Sequence, residues 1–153
     1  MSTGVGSASR MGTATNYSTV VNAPGNAMMK RKAMCTCGAL TIVAHGEPGK
    51  ISACHCQECQ RRTGSAFGVA VFFATEVTAV TGPDALFSRI GDSGLPVEFH
   101  FCPTCGSTVF WKPAFKPGMT AIAFGCFEDK EGLSPTQSVY DAHRHLWVTI
   151  RTP

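Results

Sequence analysis

The sequence predicts an all-β domain. Short runs rich in Val, Ile and Phe recur along the chain, and clusters of Gly, Pro and Asp separate them. The one stretch that reads as a helical turn is residues 57–62, which has no β-branched residue. Many short strands with this punctuation are the pattern of an all-β architecture.

Residues 1–32, rich in Ser, Thr, Gly, Ala and Asn, read as a flexible extension, within which residues 15–21 are able to add a short strand. Its acid-poor, Ser-rich composition also permits an organelle transit peptide, but a plain extension, or a start at Met28, Met29 or Met34, is the preferred reading. Residues 33–153 form the globular domain. Strands are expected at 39–44, 51–54, 67–73, 77–80, 86–90, 97–101, 108–111, 120–124 and 146–150. Turns fall at 46–49, 82–84, 91–96 and 116–118. There is no internal repeat.

A chain of 153 residues supports a single core. No stretch approaches the roughly 20 apolar residues of a membrane span. The net charge of +3 belongs to the N-terminal segment, because from Cys35 onward 9 basic residues face 10 acidic ones. The domain therefore has no charge excess suited to nucleic acid. The Lys30-Arg31-Lys32 run is the one feature that an anionic surface would attract.

Eight cysteines, at 35, 37, 54, 56, 59, 102, 105 and 126, fall mostly in tight clusters. Close thiolates suit a tetrahedral metal better than disulfides, and no continuous apolar segment at the N-terminus suggests secretion. Reduced thiolates favour the cytoplasm. Cys35 and Cys37 share a face of an extended chain. In Cys102-Pro103-Thr104-Cys105-Gly106, two intervening residues let both sulfurs face one point, with Gly106 completing the turn. These four thiolates are expected to close a structural zinc site.

Cys54 and Cys56 also share a face, and Cys59 swings in after a turn, whereas His55 points the other way. Three protein ligands and a vacancy are the signature of a catalytic zinc. The alternative is a second structural site closed by Cys126, His100 or His143. Cys126 otherwise reads as a small buried hydrophobe, and His45, His100, His143 and His145 as packed or surface residues. Arg61 and Arg62, directly after the triad, are candidates to clamp carboxylates.

These clusters in this order, with Gln60-Arg61-Arg62-Thr63-Gly64-Ser65-Ala66-Phe67 after the second, resemble the glutathione-dependent formaldehyde-activating enzyme family, also called the GFA or CENP-V family. Gly125, Glu128-Asp129, Pro135 and Trp147 sit at further positions similar to that family's pattern, while Cys126 departs from it. The resemblance implies a β-tent of antiparallel sheets pinned by structural zinc. It also implies two zinc ions per chain: one on Cys35, Cys37, Cys102 and Cys105, and one at an active site on Cys54, Cys56 and Cys59. The activity it implies is that of a carbon–sulfur lyase joining glutathione to formaldehyde. Two other readings stand beside it: a related lyase acting on another thiol adduct or small carbonyl compound, and a non-catalytic zinc-stabilised binding module.

Overall fold

The computed structural model describes residues 29–153; the expected strand at 15–21 and most of the N-terminal extension lie outside them. The chain forms β1 (Lys30–Met34), β2 (Thr41–His45), β3 (Lys50–Cys54), α1 (Gln57–Thr63), β4 (Gly68–Ala74) and β5 (Thr78–Thr81). It continues with β6 (Ala85–Ile90), β7 (Pro96–Phe101), β8 (Thr108–Pro113), β9 (Met119–Ala123) and β10 (Gln137–Val139). A three-stranded sheet has the order β1-β2-β5, and a seven-stranded sheet the order β10-β3-β4-β9-β8-β7-β6. All pairings are antiparallel except β10 with β3. No helix among the described residues is long and apolar enough to cross a membrane.

The all-β expectation holds, and two packed faces explain why. In β4, Gly-Val-Ala-Val-Phe-Phe-Ala is apolar throughout. Successive side chains of a strand point to opposite faces, so such a run has to be covered on both sides. Val71 and Phe73 face the small sheet, where they join Leu40, Ile42, Ala44, Phe110 and Ile122 in the main core. Ala70 and Phe72 face the other way and join Val97, Phe99, Trp111 and Ala121 in a second cluster. The large sheet is thus packed on one face and walled by aromatic rings on the other.

Three expectations need correction. Residues 146–150 are not a strand but a turn and irregular chain, with Leu146 fully exposed, Trp147 76% exposed and only Val148 buried. The side of β3 away from β4 is taken by β10 rather than by this segment. The chain then turns away at Tyr140, a non-glycine residue at φ 59°. Second, Lys30–Lys32, counted above with the extension, belong to β1, which pairs along its whole length with β2. Arg31 is buried there, donating to the Glu131 carbonyl at 3.1 Å, and Lys32 pairs with Glu128 at 3.1 Å. Arg31 and Lys32 are thus engaged within the domain, and Lys30 alone of the run is left exposed without an ion pair among the described residues. Third, Val77 and Phe124 end up in 3-10 turns at the strand ends.

Gly82 closes β5 at a point of unusual constraint. Its φ is +97°, and a Cβ there would lie 1.8 Å from the Ala39 carbonyl oxygen. Replacement by Ala must therefore shift the backbone that leads into the core at Leu40. Gly82→Ala is expected to lower the unfolding free energy by about 2–4 kcal/mol, measured by denaturant titration.

Candidate metal centres and the adjoining cavity

Cys35 and Cys37 lie just after β1, in a turn closed by Gly38 N–H donating to the Cys35 carbonyl at 3.0 Å. Cys102 and Cys105 occupy the β7–β8 turn, closed by Gly106 N–H donating to the Cys102 carbonyl at 2.8 Å. Gly38 and Gly106 take the left-handed angles these two turns require, at φ 78° and 74°. The fold brings the two turns together across the sheets. Cys35 Sγ and Cys37 Sγ are 3.5 Å apart, and Cys37 Sγ and Cys102 Sγ 3.6 Å. All four sulfurs lie within 4.8 Å of one another. A tetrahedral zinc with Zn–S bonds of about 2.3 Å sets sulfurs about 3.8 Å apart, so the donor set fits.

The surroundings suit thiolates. Leu40 N–H donates to Cys35 Sγ at 3.2 Å. The Ser107 hydroxyl lies 3.3 Å from Cys105 Sγ. That hydroxyl, followed by neighbouring backbone amides, holds the Cys105 thiol down to about 5. Ser107 also receives the Thr36 backbone N–H at 3.2 Å, which binds the two turns to each other.

The central cluster is built on the β3–α1 junction. Cys54 ends β3, Cys56 is the N-cap of α1, and Cys59 lies in its first turn. The Cys56 sulfur accepts from the Cys59 backbone N–H at 3.4 Å. The three sulfurs lie within 4.8 Å of one another, so this cluster too can hold a metal ion. No further Cys, His, Asp or Glu among the described residues joins it. Cys126 belongs to neither cluster; it packs at the margin of the main core, with its Sγ 3.6 Å from the Thr108 carbonyl. His100 is held by Asp84 and stacks on Phe110 at 4.3 Å. His143 lines the adjoining cavity without entering the cluster.

His55 behaves as strand alternation predicts. It is fully buried on the opposite side, 3.2 Å from the Ser138 hydroxyl. Its carbonyl accepts from Gln60 Nε2 at 2.8 Å, and Gln60 Oε1 is 3.1 Å from His145 Nε2. These contacts anchor the thiol-bearing junction to the C-terminal segment, a role that no spacing in the sequence announced.

The metal-free thiols share protons unequally. A hydrogen bond between the Cys54 thiol and the Cys59 thiolate pushes Cys54 far up and, with Cys56 and the Arg62 guanidinium adding to it, holds Cys59 down to about 6. Burial pushes Cys56 up.

The cluster opens into a cavity of about 540 Å³, within the usual range for small-molecule sites. Phe72, Phe99, Trp111 and Phe115 supply its apolar wall. Arg62 and Arg61 separate here. Arg62 turns inward, its guanidinium 4.2 Å from the Trp111 ring centroid and 5.8 Å from that of Phe99. A side chain at Gly68 would crowd it, with a Cβ 3.0 Å from an Arg62 terminal nitrogen. Arg61 turns out to solvent, 68% exposed, and pairs with Glu58 on its own helix. Sequence reasoning missed Arg89, Lys116, Asp92 and Tyr140, which also line the cavity. The only trace of them in the sequence was the second apolar face of β4, β7 and β8.

Two results are expected from metal loading. Cys102→Ser and Cys56→Ser should each lose one of two zinc equivalents, and only Cys102→Ser should lower the melting temperature substantially, by on the order of 10 °C. Zinc binding requires thiolates. At pH 7 Cys59 is already ionised while Cys54 and Cys56 are not. Loading the central cluster should therefore release about two protons at pH 7 and close to three well below pH 6, read by indicator dye in weak buffer.

A sequence profile of the family described as glutathione-dependent formaldehyde-activating enzyme matches residues 30–143. No curated protein matches the chain significantly. Among solved structures, the chain is similar to a crystal structure of a Rhodobacter sphaeroides protein determined as a structural genomics target, at 21% identity and a TM-score of 0.53. That match covers 70% of this chain and 98% of the other, and at such identity it establishes a shared fold alone. The profile match, by contrast, runs from β1 through all three cysteine clusters to the segment after β10, and on that ground the chain belongs to the glutathione-dependent formaldehyde-activating enzyme family.

Proposed function

We propose that the chain is a zinc-dependent carbon–sulfur lyase that interconverts glutathione and formaldehyde with S-hydroxymethylglutathione. The observation that carries this reading is a three-thiolate cluster, with no fourth protein donor among the described residues, set in the wall of a cavity. Cys54, Cys56 and Cys59 would hold the ion, and zinc held there would supply Lewis acidity toward a substrate thiol or an aldehyde oxygen. In the forward direction the thiol sulfur bonds to the formaldehyde carbon, and the thiol proton ends on the oxygen that becomes the hydroxyl. No oxidant or reductant is needed.

Arg62 bears on this chemistry in a way Arg61 does not. Three thiolates around a divalent ion leave one net negative charge, which blunts Lewis acidity. The Arg62 guanidinium, beside Cys59 and stacked on Trp111, is placed to offset that charge. The aromatic wall lowers the local dielectric and so strengthens the effect. Farther out, Arg89 lies over Phe99 at 5.6 Å and Lys116 over Phe72 at 5.0 Å. Their positive tips suit the two carboxylates of a tripeptide thiol, and binding through them would hold the sulfur near the cluster. Arg62, Arg89 and Lys116 thus replace the Arg61–Arg62 pair as the proposed charged contacts.

The same wall favours a second reading on one specific ground. Phe72, Phe99, Trp111 and Phe115 offer more apolar surface than formaldehyde can use. A thiol adduct of a larger apolar aldehyde would fill it.

Exchange NMR of glutathione, formaldehyde and their adduct tests both readings, with the spontaneous rate as control. The zinc-loaded protein is expected to accelerate interconversion, Cys56→Ser to abolish the acceleration, and Arg62→Ala to reduce it about tenfold or more. Arg61→Ala should leave it unchanged. No acceleration with formaldehyde, together with acceleration for an aromatic aldehyde, would move the assignment to the second reading.

A further inference from the structure

We infer that β6 is a homodimerisation edge at which two copies of this chain join their large sheets into one. Among the described residues β6 pairs only with β7, which leaves its outer side without a strand. Exposed strand edges are normally blunted by Pro, Lys, a bulge or shortness. β6 has no Pro, Lys or bulge over Ala-Leu-Phe-Ser-Arg-Ile, and its one charged residue, Arg89, lies on the cavity face. The strand carries instead three large apolar side chains that are more than half exposed: Leu86 at 56%, Phe87 at 58% and Ile90 at 64%. The opposite edge differs, because β10 is three residues long and ends at the Tyr140 turn.

The side-chain order identifies the occupant as a second copy. In the pairing with β7, Phe87 and Arg89 share the cavity face with Phe99 and Val97. Leu86, Ser88 and Ile90 share the other face with His100, Glu98 and Pro96. Directly opposed residues of an antiparallel pair lie on the same face. A two-fold axis through Ser88 therefore sets Leu86 against Ile90 of the second copy on one face, and Phe87 against Arg89 on the other. Every exposed apolar residue gains a matching partner, twice over. The Arg89–Phe87 contact is a cation on a ring, the same contact Arg89 makes with Phe99 at 5.6 Å within one chain. Moving the axis to Phe87 pairs Leu86 with Ser88, and moving it to Arg89 pairs Ile90 with Ser88 and sets the two Arg89 side chains together, so the Ser88 axis is the one that matches Leu86 with Ile90. Arg89 also lines the cavity, so Phe87 of the second copy would stand at the cavity rim.

Sedimentation of the full zinc-loaded chain tests the pairing and its register. The wild-type protein is expected to show concentration-dependent mass approaching twice 16.2 kDa. Leu86→Lys and Ile90→Glu should each be monomeric, because each dimer would bury two unpaired charges. Mixing the two variants should restore a dimer, since the Ser88 register then matches one Lys–Glu pair and keeps one Leu–Ile pair. Ile90→Gln adds no charge and serves if a charged variant fails to fold; it too should be monomeric. A wild-type chain monomeric at all concentrations, single variants that still dimerise, or a mixture that stays monomeric would each overturn the proposal. A full chain that dimerises only after removal of residues 1–28 would assign the edge to that segment and overturn a second copy as its occupant.

Discussion

A strand that is apolar on both faces has to be covered twice, and β4 imposes that requirement on this domain. One face is met by the small sheet, through Leu40, Ile42 and Ala44, and becomes the closed core. The other is met by large side chains of the same sheet, chiefly Phe72, Phe99 and Trp111, and by Arg62 of α1 laid over them. Rings standing on one sheet cannot close over themselves, so that face remains a cavity. Closed core and open cavity thereby lie on opposite sides of the same strands, and residues of β4 and β9 take their side from their parity, whereas a bulge in β8 puts both Val109 and Phe110 in the core.

The two cysteine clusters follow this division. The outer one joins the turn after β1 to the β7–β8 turn, on the side where the small sheet packs, with four sulfurs and saturating donors from Leu40 and Ser107. Its four sulfurs match a complete tetrahedral donor set. The central one sits where β3 gives way to α1, at the end of the cavity, and has three sulfurs with an arginine beside them. Similar ligands thus meet different environments. A cluster surrounded by donors and sheet is suited to holding elements together, while one that faces open space is suited to receiving a substrate.

Adjacent residues of identical type also part company. Arg61 and Arg62 stand side by side, yet one is a solvated helix residue and the other is stacked over Trp111. The helix turns each successive side chain by about 100°, and the missing side chain at Gly68 leaves the space that Arg62 takes. The C-terminal segment shows the same dependence on context. Its apolar residues were compatible with a strand, but β10 is the segment that pairs with β3, and Gln60 pins the following chain against the cluster junction through the His55 and His143 carbonyls.

The amino-acid sequence by itself determined the all-β class, most strand positions and both sets of thiols. These rest on local rules: alternation, turn residues and the spacing of side chains along a short stretch. The two cysteine pairs were legible because each is a short motif, and their partnership because four thiolates at tight spacing have few other uses. Tertiary structure alone decided that Arg62 rather than Arg61 faces the cluster, that Cys126 stays out of it, and that Arg89, Lys116 and Tyr140 line the cavity. It also decided that residues 146–150 are not a strand and that β10 is. The physical reason is common to all of these. A strand needs a free edge and a cavity needs walls from distant segments, and which edges and walls remain available is settled only once the sheets have packed.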